Sequence, residues 1–215
     1  MLIISKTEEK VIQLYSQIGC IPGIYAKLRL KLFDLTLLDR YIPKEGIILD
    51  LGCGLGVLSN YLALKYESLQ VRGIDINEKR IKIAEQTIQN RKNIRFEVQD
   101  LRKIENYLCN GIIMTDFLHH LPFTFQYNVL EKCFQNLENK CIILIYEVDK
   151  NPHNYKYWFS YLSDILLYPF SEKLYFQSRE EMKSLLSKIG YKVEVIPGDK
   201  FIFKRIIYIC KKEIK

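Results

Sequence analysis

The sequence lacks any run of apolar residues close to the ~20 that a helix needs to span a bilayer. Its short apolar start soon meets Lys6 and Glu8, which is unlike a secretory signal. From these absences we expect a cytoplasmic protein.

Cysteine and charge patterns exclude other classes. None of the six cysteines forms a C-x-x-C pair, and none lies near one of the three histidines at metal-ligand spacing. We therefore predict no metal site and interpret the cysteines as small buried side chains. The net charge is +7, but no block of five like charges occurs, which disfavours nucleic acid as a partner. Peripheral contact with a membrane surface stays open.

The chain of 215 residues is 48% hydrophobic and 27% charged, which is typical of one globular domain. Helical spacing comes first, at residues 5–19 and 24–41, with a break at 19–23. Strand and helix patterns then alternate. The predicted strands are residues 47–51, 70–75, 94–98, 111–115 and 141–146. The predicted helices between them are residues 57–65, 77–89 and 124–138. This rhythm predicts a parallel, doubly wound α/β sheet.

The rhythm breaks after the fifth strand. Residues 153–176 are dense in aromatic side chains, and Ser178 and Glu181 form a capping box that starts another helix. Two strand-like runs follow at residues 191–196 and 201–210, joined by a turn at 197–200. So short a connection makes the last two strands antiparallel.

A glycine loop follows the first predicted strand. It reads Asp50-Leu51-Gly52-Cys53-Gly54-Leu55-Gly56. A dinucleotide fingerprint G-x-G-x-x-G would have its third glycine at Val57. The observed pattern, D-x-G-x-G-x-G, resembles motif I of the class I S-adenosylmethionine-dependent methyltransferases. The C-terminal hairpin is the other mark of that family, because dinucleotide folds end on a sixth parallel strand.

The resemblance implies a Rossmann-like α/β fold with five parallel strands, a C-terminal antiparallel hairpin and N-terminal helices. It implies a single methyltransferase domain over residues 1–215. Within it we expect a helical lid at 1–44, a cofactor-binding core at 45–150, an aromatic acceptor-side insertion at 151–177, and a helix with the closing hairpin at 178–215. The expected cofactor is S-adenosylmethionine, with S-adenosylhomocysteine as the product.

The resemblance also implies roles for individual residues. Asp50 would lie near the amino group of the cofactor, and Asp75 would accept hydrogen bonds from the ribose hydroxyls. Asp100 would accept one from the adenine amino group. An acid at the position of Asp75 also occurs in folds that bind nicotinamide cofactors. The expected cofactor-binding residues are Asp50, Gly52, Cys53, Gly54, Gly56, Asp75, Ile76, Asp100, Leu101 and Asp116.

The segment after the fourth strand runs from Asp116 to Pro122 and reads DFLHHLP. It resembles the D-x-L-H-H-L-P form of the methyltransferase branch that acts on small molecules, quinones and lipids. The motifs of the base-modifying branches are absent from the sequence. His119 or His120 would be the general base for a hydroxyl acceptor, or both would be structural.

The acceptor region has no matching motif. Glu147 follows the fifth strand, and Tyr155 and Trp158 belong to the aromatic segment, so these three are candidate substrate residues. The segment would cap the core, line an apolar acceptor pocket or touch a membrane.

We predict methyl transfer to an oxygen or carbon atom of a small or lipidic acceptor, by a monomer or homodimer. An RNA methyltransferase and a non-catalytic cofactor-binding partner subunit are the alternatives. A nicotinamide-dependent dehydrogenase is disfavoured by Val57 and by the hairpin.

Overall fold

The computed structural model describes residues 4–103, 108–136, 141–167, 173–198 and 203–212, with the side chains of 163–167 left aside. Its contacts divide the chain into two compact units, residues 1–104 and 105–215. No helix in these described stretches has both the length and the apolar character to cross a membrane.

The first unit is three helices followed by a β-α-β-α-β segment. Its elements are α1 (Lys6–Ile18), α2 (Cys20–Leu32), α3 (Leu35–Tyr41), β1 (Gly46–Leu51), α4 (Val57–Lys65), β2 (Leu69–Asp75), α5 (Glu78–Gln86) and β3 (Ile94–Val98). Strand β2 pairs in parallel with β1 on one side and β3 on the other. Ile48, Leu49 and Leu51 of β1 are buried, as a parallel strand covered on both faces requires.

The helix break predicted at residues 19–23 is present but shorter than predicted, because Gly19 alone separates α1 from α2. Helix α2 begins at Cys20, because a proline in the first turn, here Pro22, breaks no helical hydrogen bond. Gly23 lies against α1, where a Cβ atom would come within 2.5 Å of the Ser16 hydroxyl oxygen. A second break, inside the helix predicted at residues 24–41, comes after Leu32, where Asp34 caps α3 by accepting a hydrogen bond from the Thr36 amide.

Helix α5 also ends earlier than the predicted residue 89. Asn77 is its N-cap, as predicted. After Gln86 the Thr87 hydroxyl donates a hydrogen bond to the Ala84 carbonyl, and Gln89 has a φ of 53°. This local bonding competes with continuation of the helix.

The second unit contains β4 (Gly111–Thr115), α6 (Phe123–Asn136), β5 (Ile142–Val148), α7 (Tyr155–Leu167), α8 (Arg179–Ile189), β6 (Tyr191–Pro197) and β7 (Arg205–Lys212). Strand β5 pairs in parallel with β4 and antiparallel with β7, and β7 pairs antiparallel with β6. The predicted capping box of Ser178 and Glu181 is confirmed at the start of α8.

The two units together carry the five parallel strands and the C-terminal antiparallel pair that the sequence predicts. The last strand begins at Arg205 rather than at residue 201. Residues 199 and 200 of the predicted turn and residues 201 and 202 of that predicted strand lie outside the described residues.

Candidate cofactor and acceptor sites

The glycine loop joins β1 to α4 through three residues with positive φ. The φ angles are 73° at Gly52, 56° at Gly54 and 76° at Gly56, values that L-residues rarely adopt. A Cβ atom on Gly56 would come within 2.3 Å of the Phe96 ring, so packing requires this glycine. A Cβ atom on Gly54 would meet nothing within 4 Å, so a ligand has an open approach to the backbone there.

The side chains of Tyr15 and Asn60 donate hydrogen bonds to carbonyls of this loop, and Thr87 and Arg91 contact Asn60 in turn. We call these four side chains the loop brace. The Tyr15 hydroxyl donates to the Leu55 carbonyl at 2.5 Å. The side-chain amide of Asn60 donates to the Gly56 carbonyl at 2.9 Å and lies 2.9 Å from the Tyr15 hydroxyl. Arg91 donates from Nη2 to Asn60 Oδ1 at 2.5 Å.

Sequence reasoning missed the loop brace. Tyr15, Asn60 and Thr87 are fully buried, and burial raises the pKa of the Tyr15 hydroxyl far above its ordinary value. The local signal is Asn60, a buried amide side chain in the mostly apolar helix α4.

Asp50 ends β1 beneath the loop and is 1% exposed. Its Oδ2 accepts a hydrogen bond from the Ser59 hydroxyl at 2.5 Å, whereas its Oδ1 has no partner among the described residues. Burial outweighs the Ser59 hydrogen bond and raises the pKa of Asp50 to about 6. A cationic ligand group beside Oδ1 would stabilise the ionised carboxylate.

Asp75 ends β2 and is tied to the loop. Its Oδ2 accepts a hydrogen bond from the Gly54 amide at 2.9 Å, and its Oδ1 accepts one from the Asn77 amide at 2.8 Å. Each carboxylate oxygen keeps a further lone pair for a ligand hydroxyl. The next side chain, Ile76, is 65% exposed and offers an apolar surface beside this acid.

Cys53 and Leu101 are mainly packing residues. The Cys53 thiol lies against Gly73, where a Cβ atom would be 3.0 Å from its sulfur. Burial raises the pKa of Cys53 well above its ordinary value, so the thiol is neutral. The Leu101 side chain is buried in a short 3-10 turn.

Asp100 lies just after β3, where the Gln99 amide donates to the Asp75 carbonyl at 3.0 Å. The side chain of Arg102 binds the Asp100 carboxylate with its Nε at 2.9 Å from both oxygens. These hydrogen bonds lower the pKa of Asp100 to about 2. A ligand amino group would therefore share this carboxylate with Arg102.

In the second unit, Asp116 follows β4 with a φ of 48°. Its Oδ1 lies 2.9 Å from Nε of Arg205, and both side chains are almost fully buried. We predicted no role for Arg205, although a basic residue within the mostly apolar run at residues 201–210 is a signal for a buried ion pair. The predicted cofactor role of Asp116 has to accommodate this partner from β7.

His119 and Glu147 form a buried pair in the second unit. His119 Nδ1 lies 2.6 Å from Glu147 Oε2, and Glu147 Oε1 accepts the amide hydrogens of Phe117 and Leu118 at 2.8 and 2.6 Å. The ring of Phe176 stacks on His119, with 4.7 Å between the centroids. The sequence made Glu147 a candidate substrate residue. In the structure both of its carboxylate oxygens are used to position His119 and the backbone of the two residues before it.

His120, the other predicted base, lies beside this pair. The centroid of the His120 ring lies 4.3 Å from that of the His119 ring, and His120 is half-buried. The two candidate bases therefore lie together, but the contact between His119 and Glu147 distinguishes them.

The aromatic segment divides between core and surface. Tyr157 is buried against Val148 and Phe176, which fits a cap over the core. Tyr155 and Trp158, the candidate substrate residues, are 63% and 53% exposed on α7, so they form no enclosed pocket within the described part of this unit.

The chain belongs to a methyltransferase family. Residues 42–194, more than half of the chain, match the family model described as a methyltransferase domain. The class I methyltransferase fold and S-adenosylmethionine as the cofactor of the family, both predicted from the sequence, are confirmed.

Among curated relatives, the chain is 31% identical over 107 residues to malonyl-[acyl-carrier protein] O-methyltransferase of Bacillus cereus, covering 49% of this chain and 39% of that protein. It is 41% identical over 58 residues to ribosomal protein L11 methyltransferase of Ruminiclostridium cellulolyticum, covering 27% of this chain and 18% of that protein. The chain thus aligns with less than two thirds of the length of each of these relatives. Their names differ in the acceptor, so the similarity leaves the acceptor open.

A solved structure extends the similarity in fold to both units. The crystal structure of magnesium protoporphyrin IX methyltransferase from Synechocystis PCC 6803 with bound SAH matches with a TM-score of 0.64 and 17% identity. The match covers 99% of this chain and 90% of that one. At this identity the likeness concerns the fold alone.

Proposed function

We propose that this protein transfers a methyl group from S-adenosylmethionine to an oxygen or carbon atom of a small or lipidic acceptor. The observation that carries the proposal is the glycine loop of the first unit, which has an open face at Gly54 and buried acids beside it. The residues present fit this cofactor, because it carries one cationic amino group and two ribose hydroxyls.

The acids divide the recognition of the cofactor between them. Asp50, whose Oδ1 has no partner in the described chain, binds the amino group; Asp75 binds the ribose hydroxyls. Ile76 contributes its exposed apolar side chain beside the ribose acid, and Asp100 binds the adenine amino group. When bound, the cofactor supplies a methyl group on a positively charged sulfur, and the protein binds and orients the reactants.

The second unit supplies the proton chemistry for a hydroxyl acceptor. A neutral His119 donates its Nδ1 hydrogen to Glu147, which leaves Nε2 as the proton-accepting nitrogen. The Glu147 carboxylate also stabilises the imidazolium that forms when Nε2 takes a proton. We therefore assign the role of base to His119 rather than to His120. The variant Glu147→Gln tests this assignment. If the pair of His119 and Glu147 were purely structural, the variant would leave the pH profile of activity unchanged.

The cofactor assignment is tested with Asp75→Asn, which keeps the size of the side chain and removes its charge. We expect S-adenosylhomocysteine to bind about tenfold more weakly, because a hydrogen bond to a charged group contributes about 1.5–3 kcal/mol. The matched control is Asp34→Asn at the cap of α3, outside the glycine loop. Equal affinity of wild type and Asp75→Asn in calorimetry would contradict the role of Asp75.

The acceptor assignment is tested by transfer of a labelled methyl group. Phenols, quinones and lipids form one panel, and RNA and ribosomal protein form the other. We expect label in the first panel only. Transfer to RNA, with binding that weakens steeply as salt rises, would support the alternative RNA methyltransferase instead.

A further inference from the structure

A cavity in the first unit is lined in part by Arg91 of the loop brace. Its volume is about 260 Å³. Two cationic side chains, Lys10 and Arg91, line it together with the side-chain amides of Gln13, Gln17 and Gln89. No acid belongs to this lining, so both of its charged side chains are cations.

Arg91 is the most unusual member of this lining. Its Nε donates to the Ile88 carbonyl at 3.2 Å, and its Nη2 donates to Asn60 Oδ1 at 2.5 Å and to the Thr87 carbonyl at 2.6 Å. Its Nη1 is buried and has no hydrogen-bond partner among the residues that the structure describes. Burial lowers the pKa of the guanidinium, as expected for a cation that lacks a counter-ion.

The rim of the cavity has a strained backbone. Gln89 has a φ of 53°, a left-handed conformation that is uncommon for a residue other than glycine, asparagine or aspartate. In this conformation its side-chain amide donates to Gln17 Oε1 at 3.3 Å. Strain of this kind persists where surrounding structure enforces it, and it often marks binding sites.

We propose that this cavity binds a phosphate group, with Lys10 and Arg91 as its charge partners and the glutamine amides as hydrogen-bond donors. A guanidinium, an ammonium and neutral amides all donate hydrogen bonds, which is the donor set that a tetrahedral oxyanion requires. The phosphate comes either from a small soluble molecule or from a lipid headgroup.

The loop brace connects this cavity to the cofactor loop. Arg91 holds Asn60, and Asn60 holds the carbonyl of Gly56. An anion that moves or orders Arg91 therefore changes the support of the loop. By thermodynamic reciprocity, phosphate and S-adenosylhomocysteine then alter each other's affinity by the same factor. The anion site itself does not depend on methyl transfer.

The first experiment is calorimetric titration of the full chain with inorganic phosphate at constant ionic strength. Lys10→Glu reverses an exposed charge of the lining without touching the core. Lys92→Glu is the matched control, because Lys92 is exposed and follows Arg91 but does not line the cavity. We expect Lys10→Glu to weaken phosphate binding at least tenfold and Lys92→Glu to weaken it less than threefold. Equal weakening by both variants overturns the proposal, and so does the lack of phosphate binding at millimolar concentration together with the lack of Lys10-dependent capture by vesicles.

Two further arms complete the test. Vesicles of phosphatidylcholine with phosphatidylglycerol distinguish a lipid headgroup from a soluble phosphate. If the vesicles capture the wild type but not Lys10→Glu, and free phosphate binds much more weakly, the phosphate group belongs to a lipid. Titration of S-adenosylhomocysteine with and without saturating phosphate tests the coupling, with an expected change of at least threefold. Unchanged affinity refutes the coupling. Because S-adenosylhomocysteine binding is measured separately, failure of the anion site is distinguishable from failure of the proposed methyltransferase.

Discussion

Replacing Asp50 with Asn should stabilise the ligand-free protein at neutral pH and leave it unchanged in acid. Burial raises the pKa of Asp50 from 3.8 to about 6. One pKa unit corresponds to about 1.4 kcal/mol, so charging Asp50 in the folded state costs about 3 kcal/mol. The cost is high because Oδ1 has no partner in the described chain.

The sign follows from proton binding. Between about pH 4 and 6 the folded state binds a proton at Asp50 more tightly than the unfolded state, so the free energy of unfolding falls as pH rises. Protonated Asp50 and Asn are both neutral, so wild type and Asp50→Asn should be equally stable near pH 3, below both pKa values. Near pH 8 the variant should be more stable by about 3 kcal/mol.

Urea unfolding of both proteins without ligand, at several pH values, measures this difference. Ser59→Ala is a useful comparison, because it removes the hydrogen bond to Asp50 Oδ2 and should steepen the pH dependence. An Asp50→Asn variant less stable than wild type near pH 8 would refute the reasoning.

The remaining predictions concern the loop, its brace and the histidine pair. In urea unfolding, Gly56→Ala should lower the free energy of unfolding by about 3 kcal/mol or more, because Gly56 has a positive φ and an added Cβ atom would collide with Phe96. Gly54→Ala should lower it by only about 1 kcal/mol, because an added Cβ atom meets nothing there. Calorimetry should show that Gly54→Ala weakens the binding of S-adenosylhomocysteine. Tyr15→Phe leaves the Leu55 carbonyl without its donor and should destabilise the protein by about 1–3 kcal/mol in urea unfolding. Glu147→Gln should lower kcat by at least about tenfold and shift the pH profile, whereas activity that keeps its wild-type profile would contradict a base at His119.

Local sequence signals predicted the strands and the glycine loop well. Strand β1 is a continuous apolar run because it is buried on both faces, and the loop's glycines are needed for positive φ. The caps of α5 and α8 were predictable because a cap forms within three residues. The break predicted at residues 19–23 is shorter in the structure, because Pro22 is harmful inside a helix but not in its first turn.

Long-range polar pairs escaped prediction. Tyr15 and Leu55 are 40 residues apart, and His119 and Glu147 are 28 apart. No periodicity in the sequence connects such partners, since their contact depends on how the helices and strands pack. The sequence could therefore nominate His119 and Glu147 as separate candidates, but only the structure shows that one positions the other.

The most direct test of the account is calorimetric titration of the full chain with S-adenosylhomocysteine, with NAD as the comparison. The account predicts that S-adenosylhomocysteine binds with one ligand per chain, that NAD does not bind, and that Asp75→Asn weakens the first by about tenfold. Binding of NAD without binding of S-adenosylhomocysteine would contradict the assignment of the glycine loop and, with it, the proposed methyl transfer.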